Sequence, residues 1–525
     1  MASGLFVALV ALRSGVPPWT AAPSHGLTRG GPGRLHAVLL AVVLVVLGWG
    51  LIRRRLLAMA GMVLFLGSAA LGMDHSRWSA LLVGYAVGLV LCHASFRTRP
   101  DRTNLVSAAR FGGLTLVAAG LFAATARMGF APSLGWSTSL LVVVLVVLLV
   151  ALRAAPAPQP SGELERARVR WLVSQPGADT LAPFALRSDK TYLFSSDGSA
   201  AVGYRVLLGV AVVGGDPVGD PAGYRDVVAR FLALCDRRGW RPAVLGARGD
   251  LVELWREHGL RSVGIGDEVV LDAIGFSLST RRMRNVRQAV ARTRNAGVVT
   301  TVARAGDLTH ELRAEMARLS TAWLGSAKER GFSMILDGLF DDRHPDAVFV
   351  LAFAEDHRLV GFQRYLDCGS TGPDAALSLD VMRRDRGRIN GLNERMIIDM
   401  VEYARAHGVG RVSLNFAAFR ELLDKGAQRT AVEQTGYRLL HLLDPLIQVE
   451  SLYLFNAKFR PGYVSRHVAL GSWLALPTVL GALLGLEFAL PYDLRRDRQS
   501  VPAEAGVLVG AEGTDQLPDG AATCK

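Results

Sequence analysis

Three stretches of this 525-residue chain place ionisable side chains where they could do chemistry. In LSLDVMRR (377–384), Asp380 and Arg383 stand three residues apart at the end of an apolar, strand-like run. A carboxylate and a guanidinium at that spacing either pair with each other as a strand-end salt bridge or face a ligand, the guanidinium's planar fork being suited to phosphate. In LYLFNAKF (452–459), Lys458 is a cation in a polar-aromatic setting, with Glu450 the nearest acid upstream. It is either a snorkelling surface lysine or a charge that holds phosphate or a developing oxyanion. From Ala273 to Gly306 there is no acidic residue, while Arg281, Arg284 and Arg287 recur at threefold spacing. On a helix they form one stripe able to track phosphates, or a solvated basic face. Cys92, Cys235, Cys368 and Cys524 are scattered with no CxxC spacing, so neither a zinc site nor a disulfide framework is expected, and no metal is invoked.

The elements that must position these groups fall into two kinds. From about 163 to 466, short apolar strands alternate with amphipathic helices, which predicts an α/β or α+β architecture. Two stretches look alike: strands within 191–214, a helix at 221–238 and a strand at 242–246; then strands near 347–354, 358–366 and 375–382, a helix at 391–407 and a strand at 411–416. We read them as two like halves, 163–275 and a catalytic 276–466. AVFVLAFAEDHRLVGFQRYL is expected to be a hairpin turning at Glu355, Asp356 and His357. The following helix points Leu392, Met396, Ile397, Met400, Val401 and Ala404 at a core, with Asn390 as its expected N-cap.

The first third differs. Five apolar runs, 35–52, 57–73, 78–96, 111–126 and 134–152, approach the roughly 20 residues needed to cross a bilayer. Arginines cluster after the first, third and fifth runs, which by the positive-inside rule puts everything beyond 152 in the cytosol. RAAPAPQPSG (153–162) is a proline-rich linker, 1–34 an N-terminal tail, 467–491 an apolar membrane-associated helix, and 492–525 a tail expected to be disordered. A net charge of +13 favours a polyanionic partner, nucleic acid or lipid headgroups.

The segments KERGF (328–332), LSLDVMRR, NG (390–391), LNFA (414–417), LFNAKFRP (454–461) and GGDPVG (214–219), several of them in the family's order, resemble the C-terminal domain of phosphatidylglycerol lysyltransferases, also called multiple peptide resistance factors. The resemblance implies a tandem acetyltransferase-like (GNAT) fold that transfers an aminoacyl group, lysyl by likeness, from aminoacyl-tRNA to phosphatidylglycerol in the inner leaflet of a bacterial cell membrane, with no cofactor. It implies that Asp380 binds the aminoacyl ammonium or orients the acceptor hydroxyl, that Arg383 pairs with phosphate, and that Lys458 covers the oxyanion or the tRNA's terminal phosphate. Glu329, Phe332, Asn390, Gly391 and Asn415, which lie in these motifs, and Glu450, the acid nearest Lys458, are taken as substrate-lining positions, while the spacing of Arg281, Arg284 and Arg287 makes them the expected tRNA or lipid contact. Gly331 as a helix stop beside a buried Phe332 accounts equally for KERGF. The chain departs from the family pattern at Tyr463 and Ile389, and its membrane region is a reduced one, which puts flipping of the product in doubt. RRDRGRING, ending at Gly391, is a degenerate likeness of an acyl-CoA pyrophosphate loop. Membrane-bound acyl-CoA-dependent N-acyl transfer, and non-enzymatic binding of tRNA or anionic lipid, are therefore the competing readings.

Overall fold

The computed structural model describes residues 32–71, 77–127, 136–325, 336, 338–340, 344–369, 372–385, 389–418 and 454–487. Among the described residues five apolar helices come first: α1 (Pro32–Ile52), α2 (Leu56–Leu71), α3 (Arg77–Leu91), α4 (Arg102–Arg127) and α5 (Trp136–Ala151). They match the five apolar runs, except that α4 begins nine residues earlier than its run, because RTNLVSAAR is itself amphipathic enough to continue the helix. By length and composition one of them, over Arg102–Ala124, suffices to cross a bilayer, and the others are shorter apolar helices. Large apolar side chains on their outer surfaces, including Val45, Leu64, Leu81, Leu114 and Leu121, are exposed.

The rest of the chain supplies α6 (Glu163–Val173), β1 (Thr191–Phe194), β2 (Ala200–Leu207), β3 (Val210–Gly214), β4 (Val218–Gly219), α7 (Tyr224–Arg238), β5 (Arg241–Arg248), α8 (Val252–Glu257) and β6 (Arg261–Asp272). It continues with α9 (Arg284–Asn295), β7 (Val299–Arg304), α10 (His310–Leu324), β8 (Val348–Phe353), β9 (Leu359–Cys368), β10 (Gly372–Arg384), α11 (Leu392–Ala406), β11 (Val409–Ala418), β12 (Gly462–Leu470) and α12 (Leu476–Glu487). The strands form one mixed sheet in the order β1-β2-β3-β5-β12-β6-β11-β10-β9-β8-β7, with β4 on β2. Within this sheet one arrangement of strands and helix occurs twice. The antiparallel β2–β3 leads through α7 to β5, parallel to β3, and the antiparallel β9–β10 leads through α11 to β11, parallel to β10.

The join between halves was not foreseen. Strand β6 precedes residue 276 in sequence yet pairs with β11, and β12, the last of the described strands, is inserted between β5 and β6. Reading 467–491 as one apolar membrane-associated segment therefore needs correction. Its start completes β12, and α12 lies on the sheet, where Val479, Ala482 and Leu486 pack on Val210, Val212 and Ala243. The physical reason is that all five residues of β3 are buried, so both faces need cover; α7 covers the other face with Val227, Val228 and Phe231. In the second half α9 and α11 cover one face and α10 the other. All six apolar positions expected to face the core from α11 are buried.

The two parts of the chain meet at the C-terminal end of α7. A helix leaves its last carbonyls without internal partners. Here the hydroxyl of Thr98 donates to Asp236 O (2.8 Å), the amide of Arg99 to Arg237 O (3.3 Å) and the amide of Ala155 to Arg238 O (2.9 Å). The Trp240 indole returns a bond to Ala155 O at 2.7 Å. The connections after α1, α3 and α5, those that carry the arginines, thus gather at one end of the helical layer, with Leu56 N on Thr98 O and Thr98 N on Arg54 O.

Candidate active site

In a sheet, two parallel strands that begin paired and then part leave a wedge lined by unpaired backbone. Strands β10 and β11 do this: they are in register at Ala376–Ser378 with Arg411–Ser413 and pair no further. Just beyond, both strands are irregular. The register of β10 on β9 slips between Leu379 and Val381, so Asp380 is the bulged residue. That of β11 on β6 slips between Ser413 and Phe416, and Asn415 has a left-handed φ of 70°. Bulges and non-glycine left-handed residues concentrate at functional sites because they re-aim side chains. The Asn415 amide spans the wedge, donating to Leu379 O at 3.1 Å.

Asp380 is buried, and its guanidinium partner is Arg364 on β9 rather than Arg383. Arg364 Nε donates to Asp380 Oδ2 at 2.5 Å, and both side chains are essentially inaccessible. Asp380 Oδ1 accepts the Leu336 amide at 3.0 Å, and Arg364 donates to the carbonyls of Gly338 and Leu339, the latter at 2.7 Å. The pair therefore clamps the segment that follows KERGF. A cavity of about 150 Å³ adjoins Arg364, lined also by Arg313, His344 and Phe349. Arg383 points elsewhere: it is mostly buried and reaches Ser320 Oγ on α10 at 3.4 Å. The strand-end pair weighed from spacing alone is thus replaced by a cross-strand pair, Arg364 of β9 with Asp380 of β10.

Lys458 follows the helical turn at 454–457 and pairs with Glu394 of α11 at 3.0 Å, lying over the Phe455 ring at 5.1 Å. Its expected neighbour Glu450, and likewise Glu329 and Phe332, lie outside the described residues. Asn390 is exposed and does not cap α11; the N-cap is Gly391, with φ 100°. A Cβ at Gly391 would come 2.8 Å from Ala289 O, so glycine here lets α9 and α11 approach. Of the arginine stripe, Arg281 lies in a 3-10 turn and Arg284 opens α9, both exposed. Arg287 is half-buried and donates to the carbonyls of Leu278 and Thr280, the latter at 2.7 Å. The stripe is therefore narrower than its spacing implied, because its third member holds its own preceding loop.

A buried polar network that residue spacing did not reveal underlies the wedge. Arg466 of β12 is fully buried and donates to Asp179 at 2.8 and 2.9 Å, to Asp216 at 3.4 Å and to Glu268 of β6. Glu268 accepts from Ser413 Oγ at 2.5 Å, at the last paired residue before the wedge opens. Burial and the neighbouring Asp179 charge push the Asp216 carboxyl up to about 7 against the pull of Arg466. Asp179 is nearly buried, but the Arg466 guanidinium holds it below the usual carboxylate range. The only signal was that Asp216 sits in GGDPVG; nothing local to Arg466 distinguishes it from the chain's other arginines.

The comparisons with known proteins agree with this architecture. The family described as phosphatidylglycerol lysyltransferase, C-terminal, matches residues 170–470. An MprF-like domain protein of Mycobacterium tuberculosis is 40% identical over 327 residues, covering 61% of this chain and 66% of that protein. A bifunctional lysylphosphatidylglycerol biosynthesis protein, LysX, of Mycobacterium avium is 34% identical over 470 residues, covering 88% of this chain and 38% of the relative. The chain thus spans less than two thirds of the length of these curated relatives. Among solved structures, the C-terminal domain of a putative lysylphosphatidylglycerol synthetase from Agrobacterium fabrum is similar at TM-score 0.53 and 20% identity, covering 62% of this chain and 98% of that one. L-PGS from Bacillus licheniformis is similar at TM-score 0.54 and 22% identity, covering 62% and 96%. At those identities the likeness concerns the fold, a mixed α+β sheet. Since the family match takes in more than half of the chain, the protein belongs to the phosphatidylglycerol lysyltransferase family through that family's C-terminal domain.

Proposed function

We propose that the chain is a multi-pass membrane aminoacyltransferase that moves the aminoacyl group, lysyl by family, from aminoacyl-tRNA to a headgroup hydroxyl of phosphatidylglycerol. The observation that carries this reading is the β10–β11 wedge, with bulged Asp380 and left-handed Asn415 on its two walls, in a chain of this family. In the transfer, the lipid hydroxyl oxygen bonds to the ester carbonyl carbon, the bond to the terminal ribose breaks, and the hydroxyl's proton ends on the ribose oxygen. Asp380 and Arg364 hold the loop over the wedge, Arg383 takes phosphate, and Lys458 supplies a cation for developing negative charge. Arg281 and Arg284 offer exposed charge for the RNA.

Two observations support the membrane placement: the exposed apolar surface of α1–α5, which needs a nonaqueous neighbour, and the gathering of the arginine-bearing connections on the side of the catalytic part. An acyl-CoA donor fits less well. The described wall of the cavity beside the start of α11 holds Glu355, Asp356 and Asp385 against one arginine, Arg358, a poor setting for a pyrophosphate. The test is lipid analysis of a host that makes no aminoacylated phospholipid. Expression of the chain should yield a new ninhydrin-positive phosphatidylglycerol derivative, whose mass identifies the amino acid. Folded protein with no such product, or product formation that survives ribonuclease and follows acyl-CoA instead, would overturn the proposal.

A further inference from the structure

A cavity of about 550 Å³ lies where the helical layer meets the first half of the sheet, far in the fold from the β10–β11 wedge, and no residue lining it belongs to β8–β11. One wall is apolar: Val45 and Trp49 of α1, and Leu149 of α5 followed by Leu152. The other is cationic, made by Arg53 and Arg55 after α1, Arg153 after α5, and Arg241, the first residue of β5. Among the described residues no aspartate or glutamate lines it and no carboxylate is ion-paired with any of the four.

Arg55 is the informative member. It is only 6% exposed, its Nη1 donates to Arg153 O at 2.7 Å, and its Nε has no hydrogen-bond partner. The Arg53 and Arg55 guanidinium groups lie 5.0 and 5.8 Å from the centre of the Trp49 ring. Burial lowers Arg55 and Arg241 from their ordinary values, with no nearby carboxylate to oppose it. Four gathered cations, one of them buried with an unmet donor, are a setting that an anion would stabilise. Because the opposite wall is apolar, a free phosphate would satisfy only half of the lining.

We propose that this cavity binds an anionic glycerophospholipid, its phosphate held among Arg53, Arg55, Arg153 and Arg241 and an acyl chain lying along Val45, Trp49 and Leu149, as a second lipid site separate from the acceptor site. The volume is within the roughly 300–1,000 Å³ of ordinary small-molecule pockets. The lipid bridges the two parts of the chain, since three of the arginines come from the helical layer and one from the sheet, and so fixes the catalytic part to the membrane. The proposal rests on the helices crossing the bilayer.

The test uses the full chain in phosphatidylcholine nanodiscs doped with a few mole per cent of acyl-brominated phosphatidic acid, which lacks the acceptor hydroxyl of the proposed substrate. Trp49 fluorescence should be quenched at least threefold more by the brominated anionic lipid than by brominated phosphatidylcholine. The excess should vanish in Trp49→Phe and fall severalfold in Arg55→Gln/Arg241→Gln. Arg53→Gln, at a half-exposed position, provides a milder variant should the double one misfold. Equal quenching by the two lipids, an excess unchanged in the arginine variants, or its displacement by millimolar glycerol 3-phosphate would overturn the proposal. If alkaline carbonate strips the chain from membranes, the membrane reading fails and this one with it. A carbonate-resistant chain with equal quenching sinks the lipid site alone.

Discussion

Replacing Asp216 by asparagine should make the protein more stable above neutral pH while leaving it nearly unchanged below about pH 4. The carboxyl is buried beside Asp179 and is raised from the ordinary 3.8 to about 7. A folded-state value above the unfolded one means that the native protein binds the proton more tightly. The resulting stability is complete below about pH 4 and is lost as the pH rises through about 7. At about 1.4 kcal/mol for each pH unit of separation, the native state forgoes roughly 4 kcal/mol on going from acid to pH 8. Asparagine keeps an acceptor for the Arg248 amide, now 2.9 Å from Asp216 Oδ2, and adds no charge. Its loss of contact with Arg466 is small, because that bond is long at 3.4 Å and Asp179 and Glu268 remain on the guanidinium. Urea titrations of the full chain in detergent, followed by tryptophan fluorescence at pH 5 and pH 8, should show the variant's advantage growing by roughly 2–4 kcal/mol between the two. Parallel pH dependence of wild type and variant, or a variant weaker at pH 8, would refute the assignment of the proton to Asp216.

Asp380→Ala should cost about 3–5 kcal/mol in the same denaturation assay, since it leaves Arg364 buried without its counterion; Asp380→Leu with Arg364→Met should recover much of that stability but no lipid product. Lys458→Met should lower stability by less than about 1 kcal/mol, because the pair with Glu394 is partly exposed, yet reduce product formation at least tenfold; unchanged turnover would return Lys458 to a surface role. Gly391→Ala combines a φ of 100° with a close approach to Ala289 and should lower stability by roughly 1–3 kcal/mol, read as a drop in thermal midpoint.

What could be read from the residues was whatever is decided locally. The α11 stripe from Leu392 to Ala404 obeys helical periodicity and is buried as expected, and Glu355-Asp356-His357 turns the β8–β9 hairpin, His357 having a left-handed φ of 59°. The choice of partners was not legible. Arg364 and Asp380 are 16 positions apart and Arg466 and Asp179 287 apart, and each pairing depends on strand order. Strand β12 was hidden because YVSRHVAL carries Arg466 and His467 in its middle and runs on into the apolar α12. The Asn390 expectation failed for a similar reason: the helix start is dictated by how closely α9 approaches, which only Gly391 permits.

The insertion of β12 between β5 and β6 also bears on how the protein is made. Its residues, 462–470, leave the ribosome after both repeated units, so throughout most of synthesis β5 and β6 each present an unpaired edge of the kind that invites association with another chain. Separate expression of 163–275 would leave the same gap permanently, whereas a circularly permuted chain that begins at β12 would deliver the central strand first.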